Sequence, residues 1–226
     1  PFTVERLFMT HFYVDATNGD DAKSGASEAT AWKTLAFAST NATWAGDVVT
    51  VLPGTYEEGS LSIPQGISGW STAATRATRV VVHPGVTFES RDGAAATVVL
   101  GASATGTPEV DMDAASGCGV NAVRCAFVGS GGTLRGFTLR GGRTDYGSLV
   151  ANGSTDLQGV DHMGGGVLGL YGTNAADFEE KYAQCLVEDC VIDDCRAPRG
   201  GAARYVRLRI CVVSNCRGIN MGSCVR

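Results

Sequence analysis

The chain has 226 residues (23.4 kDa), 44% of them hydrophobic, with 18 Lys plus Arg against 23 Asp plus Glu and a net charge of −5. This apolar content is enough to bury a core and excludes a disordered chain; no apolar run approaches the roughly 20 residues that cross a bilayer as a helix, and an acidic total with three lysines lacks the basic footprint of a nucleic-acid binder. Glycine, at 31 residues, is about twice its usual share without a G-X-Y period, so the chain is rich in turns and is not collagenous.

The opening PFTVERLFMTHF lacks the long apolar core and small-residue cleavage site of a signal peptide, and the chain reads as soluble, with no transmembrane segment. Residues 12–15 read as a strand, 16–29 as a polar loop, and 30–40 as a short helix with Thr30 at its N-cap. Trp32, Leu35, Ala36 and Ser39 recur at helical spacing and give that helix one apolar face, as expected of a lid laid over the first edge of a sheet. In the loop, Asp15, Asn18, Asp20 and Asp21 offer the hard oxygen ligands that Ca²⁺ prefers, while the same residue types beside glycine are ordinary turn formers. Asn41-Ala-Thr43 and Asn152-Gly-Ser154 fit the glycosylation sequon. Residues 47–52, 79–83 and 96–100 read as strands, and 60–77 and 103–119 as loops.

The second half repeats itself. VEDCVIDDC (187–195) aligns with LRICVVSNC (208–216) at an offset of 21, and LRGFTLRGG (134–142) fits the same template. A second element, GGGVLG (164–169), matches RGGAAR (199–204) at an offset of 35, and removing a polar excursion of about 14 residues restores the 21-residue step. A period this short, built of β-branched runs between Gly, Asn and Asp, is too short for a helix pair and matches one coil of a β-solenoid, with equivalent residues stacked about 4.8 Å apart. Leu134, Val187 and Leu208 form one expected inward column, Phe137, Cys190 and Cys211 a second, and Leu139, Ile192 and Val213 a third. The fold class read from the period is all-β, a parallel β-solenoid with a short N-terminal capping helix, which the resemblance given below makes a right-handed parallel β-helix: one domain over 1–226, with strand, loop and cap in 1–45 and coils with loop excursions in 46–226.

Eight cysteines, Cys118, Cys125, Cys185, Cys190, Cys195, Cys211, Cys216 and Cys224, cluster in the second half. Their even number suggests disulfides and an oxidising compartment, with buried free thiols and a metal cluster as alternatives; the absence of C-x2-C and the repeated C-x4-C suit a repeating backbone better than a tetrahedral site. Charge is segregated: residues 145–194 sum to −9, residues 196–226 carry seven arginines and no acid, and residues 1–113 sum to −7. With coils stacked in order, the last coil presents a basic, uncapped edge that suits a fragment or a head-to-tail contact with the acidic N-terminal region of another copy.

YVDATNGDDAKSG (13–25), AWKTL (31–35) and AGDVVTVLPGTY (45–56) resemble the opening of bacterial right-handed parallel β-helix repeat proteins of the pectin-lyase-like superfamily. GFTLRGG (136–142), GGGV (164–167) and DCVI (189–192) are similar to repeats of polymorphic-outer-membrane-protein-type surface proteins. That resemblance implies an extracellular or cell-surface location and an architecture that hosts lyases, hydrolases, epimerases and proteins without catalysis. Lyases of the group hold Ca²⁺ against a uronate with carboxylates and use Lys or Arg as base, which makes Asp189, Asp193, Asp194, Arg207 and Arg209 the catalytic candidates; the competing reading is cross-strand pairing, since the 21-residue register puts Glu188 beside Arg209. The polygalacturonase pattern is incomplete, because no His-Gly or Arg-x-Lys follows Asp193 and Asp194, and His11, His83 and His162 are isolated. Adjacent Asp161 and His162 would point opposite ways on extended chain, and Trp44, Trp70, Tyr146 and Tyr171 are the aromatics available for stacking on sugars. Three functions follow: a non-catalytic structural or adhesive solenoid able to assemble head to tail, a polysaccharide lyase, or a passive glycan-binding module.

Overall fold

The computed structural model describes residues 9–64, 67, 76–105, 117–119, 121–145, 160–169 and 184–218. These are predominantly β, in stacked parallel sheets with one α-helix. The strands are β1 (His11–Val14), β2 (Val48–Val51), β3 (Gly54–Tyr56), β4 (Ala77–Val82), β5 (Thr87–Ser90), β6 (Thr97–Leu100), β7 (Val123–Val128), β8 (Thr133–Arg135), β9 (Thr138–Arg140), β10 (Val167–Gly169), β11 (Leu186–Glu188), β12 (Val191–Asp193), β13 (Arg196–Ala197), β14 (Ala203–Arg204), β15 (Arg207–Arg209), β16 (Val212–Ser214) and β17 (Arg217–Gly218). Sheet A runs β1-β2-β5-β8-β11-β15, sheet B runs β3-β6-β9-β12-β16, sheet C runs β4-β7-β10-β14, and β13 pairs with β17. From β2 onward the chain therefore visits A, B and C in turn, and each return lays a parallel strand beside the previous one.

The register makes continuous interior columns. In sheet A, Phe12, Val49, Phe88, Leu134, Val187 and Leu208 stand opposite one another, and in sheet B so do Tyr56, Val99, Leu139, Ile192 and Val213. All are buried except the terminal members Phe12, Leu208 and Val213, which are partly exposed. The columns expected from the 21-residue template thus form as read. Sheet C is covered on both faces. Val80, Ala126, Val167 and Ala203 face the main core, whereas Val81, Phe127 and Leu168 pack with Ile63, Met163 and Tyr205 in a second cluster. Burial on both sides explains why β4 and β7 read as nearly unbroken apolar runs. Ala77 belongs to β4, and Leu61 pairs antiparallel with Thr78, so the predicted loop over 60–77 is shortened at its end by this strand and interrupted by this bridge.

Two sequence expectations need correction. Val167 stands opposite Ala203 and Met163 opposite Arg199, an offset of 36 rather than 35. Gly164 and Gly200, both at positive φ, stand opposite each other in this register: the turn that needs left-handed backbone recurs at 36, with Gly165 opposite Gly201 and Gly166 opposite Ala202. The helix α1 spans Leu35–Asn41 with Thr34, not Thr30, at its N-cap; the Thr34 hydroxyl accepts the Phe37 N–H, and residues 28–30 form a separate 3₁₀ turn. Trp32 lies outside the helix, in a parallel bridge with Val14, and the buried helical side chains are Leu35, Ala38 and Ser39.

The lid role holds. Helix α1 packs on β4, the edge strand of sheet C, and Ser39 Oγ accepts the Val81 N–H at 3.0 Å while donating to Leu35 O at 2.8 Å. An edge donor that a further strand would otherwise satisfy is capped by a helix side chain. Truncating Phe88 to alanine at the centre of the sheet A column should cost about 3–5 kcal/mol, and Ser39→Ala, which orphans the buried Val81 amide, about 1–3 kcal/mol; urea unfolding midpoints measure both.

Candidate functional site

The nominated acids and arginines lie on the outward faces of sheets A and B and in the turns between them. On sheet A, Thr50, Glu89, Arg135, Glu188 and Arg209 form one in-register outward column. Its charges alternate. Arg135 reaches Glu89 at 3.6 Å and Glu188 at 3.0 Å, and Arg209 pairs with Glu188 from the other side. Glu188 is buried between the two guanidinium groups. Burial pushes its carboxyl up, and the hydrogen bonds and charges of Arg209 and Arg135 more than offset that, leaving it below the ordinary glutamate value.

On sheet B, Leu100, Arg140, Asp193 and Ser214 form the matching column. The Asp193 carboxylate accepts from Ser214 Oγ and Asn215 Nδ2 at 2.8 Å each and from Arg140 Nε at 3.3 Å. The Asn215 and Ser214 hydrogen bonds, helped by Arg140 and opposed by burial, hold it below the ordinary aspartate value.

Asp189 and Asp194 occupy a different kind of position. Asp189 has φ 51° and Asp194 φ 48°, and each sits in a turn column whose other members are also left-handed: Gly136 and Ile210 with Asp189, Gly141 and Asn215 with Asp194. The backbone pairs these turns rung to rung, Gly136 N–H donating to Glu188 O, Asp189 N–H to Arg209 O, Gly141 N–H to Asp193 O and Asp194 N–H to Ser214 O. Aspartate is among the few residues that tolerate this conformation. The Asp194 carboxylate pairs with Arg143 at 3.0 Å and Arg196 at 3.5 Å. Arg207 is exposed, in the neighbouring column opposite Leu186. The candidates are therefore distributed over two sheet faces and two turns, with Asp193 and Asp194 each already bound to arginine.

The loop acids are spent locally. Asp15 accepts from Thr17 N, Asn18 N and Asn18 Nδ2, Asp20 from Ala22 N, and Asp21 from Lys33 N, Thr34 N and Thr34 Oγ1. They close turns and brace the start of α1; among the described residues no group of three or more His, Cys, Asp or Glu is arranged to hold a metal ion. Beside this loop a cleft of about 150 Å³, lined by Ala16, Lys33, Thr55, Tyr56, Glu57 and Glu58, is occupied by the Lys33–Glu58 ion pair at 2.7 Å; small-molecule sites usually take roughly 300–1,000 Å³.

Seven of the eight cysteines fall on described residues. Cys118, Cys125, Cys185, Cys190, Cys195, Cys211 and Cys216 are all free, and all but Cys211 are buried. The Cys190 and Cys195 thiols lean on carbonyl oxygens of their own turns, Glu188 O and Asp193 O. Cys224 and Asn152 lie outside the described residues, as do Trp70, Tyr146 and Tyr171. Asn41 is exposed at the end of α1, its Nδ2 donating to Phe37 O, and Trp44 is half-exposed.

One cluster was not foreseen. Arg76 pairs with Asp145 at 2.7 Å and its backbone N–H donates to Asp161, while His162 Nδ1 faces Asp145 O at 3.0 Å. Beneath them the wholly buried Arg124 donates to Met163 O, Gly164 O and Thr78 Oγ1, and burial pushes its pKa down to about 10. These groups tie residues 76–78, 124, 145 and 161–164 together. An isolated arginine within an apolar strand, VRCAFV, is the one signal that marked it.

No family model and no curated protein sequence matches the chain. Among the described residues no helix is long and apolar enough to cross a membrane.

Glu188 and Asp193, both held below their ordinary values, contribute stability that is complete above the unfolded carboxylate range and is lost as pH falls through their folded values, so thermal unfolding should weaken below about pH 4. Glu188→Gln should lower the melting temperature at neutral pH and flatten that acid limb. Ile210, a β-branched residue at φ 52°, should gain about 1 kcal/mol on replacement by glycine.

Proposed function

We propose that the chain is a right-handed parallel β-helix of the pectin-lyase-like kind that serves a structural or adhesive role at the cell surface without catalysis. The hand follows from the strong preference of parallel crossovers for right-handed connections. The surface location rests on the resemblance of residues 136–142 and 189–192 to repeats of surface proteins. What carries the functional reading is the Glu89–Arg135–Glu188–Arg209 ladder, in which the charges nearest the nominated catalytic acids run along the stacking direction and tie four successive strands of sheet A together. Individual exposed pairs of this kind contribute little, and a connected ladder with a buried central carboxylate contributes more.

The same reading includes head-to-tail assembly, with the arginine-rich residues 196–226 of one copy against the acidic N-terminal region of the next. Light scattering of the intact chain at low salt should show growth with concentration that reverses at about 0.5 M salt, where screening shortens to a few ångströms. Monomers at every concentration would remove the assembly. Incubation with pectate and with alginate in the presence of Ca²⁺ should give no rise in unsaturated-uronate absorbance; such a rise, abolished by Asp193→Ala, would replace this reading with the lyase.

A further inference from the structure

Two cysteine pairs repeat at the 21-residue period, Cys190 with Cys211 and Cys195 with Cys216. The strands beside them fix their alignment: Val191 stands opposite Val212 and Arg196 opposite Arg217, so each cysteine lies directly over its partner on the adjacent strand. A parallel spacing of about 4.8 Å falls inside the Cα range of a disulfide and only just beyond its usual Cβ separation, so a small approach of two strands closes the bond.

The two pairs differ in access and in the turn that holds them. Cys195 and Cys216 are both buried. In the other pair Cys190 is buried but Cys211 is half-exposed, and it directly follows Ile210, which is 77% exposed and held at φ 52°. A β-branched residue in that conformation is strained, and it adjoins the more exposed of the two sulfurs. Hydrogen bonding distinguishes the two sulfurs as well. The Phe137 N–H points at Cys190 Sγ at 3.4 Å, and the Cys190 thiol leans on Glu188 O at 3.1 Å. As a thiol, Cys211 leans on Arg209 O at 3.3 Å and Val187 O at 3.4 Å. The Cys190 side chain beside it holds the Cys211 pKa down at about 6 against burial and the nearby Asp189 carboxylate, while Cys190 is pushed up.

We propose that Cys190 and Cys211 form a hydroperoxide-responsive pair, Cys211 as the attacking sulfur and Cys190 as the resolving one. The Cys211 thiolate attacks one peroxide oxygen and the O–O bond breaks; the departing oxygen takes a proton from solvent and leaves as water or an alcohol, and Cys211 becomes a sulfenic acid. The Cys190 sulfur then attacks Cys211, its proton joins the leaving hydroxide as water, and the S–S bond forms. Two thiols lose two electrons and one hydroperoxide gains them. The product staples the two strands along the stacking direction.

The test uses the full chain, reduced and then freed of reductant, with equimolar hydrogen peroxide. The intact mass should fall by about 2 Da, and peptide mapping should place the link between residues 190 and 211. Cys190→Ser should instead accumulate a dimedone-trapped sulfenic acid at Cys211, and Cys211→Ala should lose the mass change. Should a variant fail to fold, brief alkylation of the parent chain decides: modification mapped first to Cys211, with a rate midpoint near pH 6, supports the pair. A link mapped to Cys195–Cys216, an unchanged mass, or Cys211 alkylated no faster than the buried thiols would overturn it.

Discussion

The in-register parallel pairing of successive strands is the constraint on which everything else in the structure depends. It satisfies the backbone along three sheets and, by the same act, places like positions of successive repeats in columns. Each interior column is only as good as its alignment, because a slip of one residue turns every side chain of a strand to the other face. The Phe12-to-Leu208 and Tyr56-to-Val213 columns show why apolar residues recur at fixed template positions: each side chain is covered by the one above and the one below.

The same alignment explains the charged surface. Residues that would repel if repeated on every rung alternate in sign down sheet A, and on sheet B Asp193 is met by Arg140 on one side and Ser214 on the other. The turns obey a third rule. Gly136 and Gly141 in one repeat give way to Asp189 and Asp194 in the next and to Ile210 and Asn215 in the last, all left-handed. A column of backbone conformation persists where the residue type does not, and the strain this leaves at Ile210 falls beside Cys211, the most accessible of the described thiols.

The template alignment already held part of the candidate site. Setting LRGFTLRGG over VEDCVIDDC puts Arg135 beside Glu188 and Arg140 beside Asp193, so the ion pairs were legible once the period was known. The Arg76, Asp145, Asp161 and Arg124 cluster was not legible as a cluster, since its members lie outside the 21-residue template and come together beside β7 only in the folded chain. Nor was the turn role of Asp189 and Asp194, because aspartate serves equally as ligand, base and turn former, and only φ separates these uses.

By itself the sequence determined the all-β class, the parallel stacking, the interior columns and the place of the lid, because each of these follows from side-chain type recurring at a period. Tertiary structure decided the rest. In-register partners on sheet A are 39 residues apart between Val48 and Thr87, 46 between Thr87 and Thr133, and 53 between Thr133 and Leu186, before the spacing contracts to 21 between Leu186 and Arg207. Excursions of variable length hide the earlier rungs from any fixed-period reading, and a pairing register is set by hydrogen bonds and turn geometry. The offset of 36 at the glycine run and the stacking of cysteines as free thiols have the same origin: both depend on where backbones come to rest against one another, a distance that residue type alone does not encode.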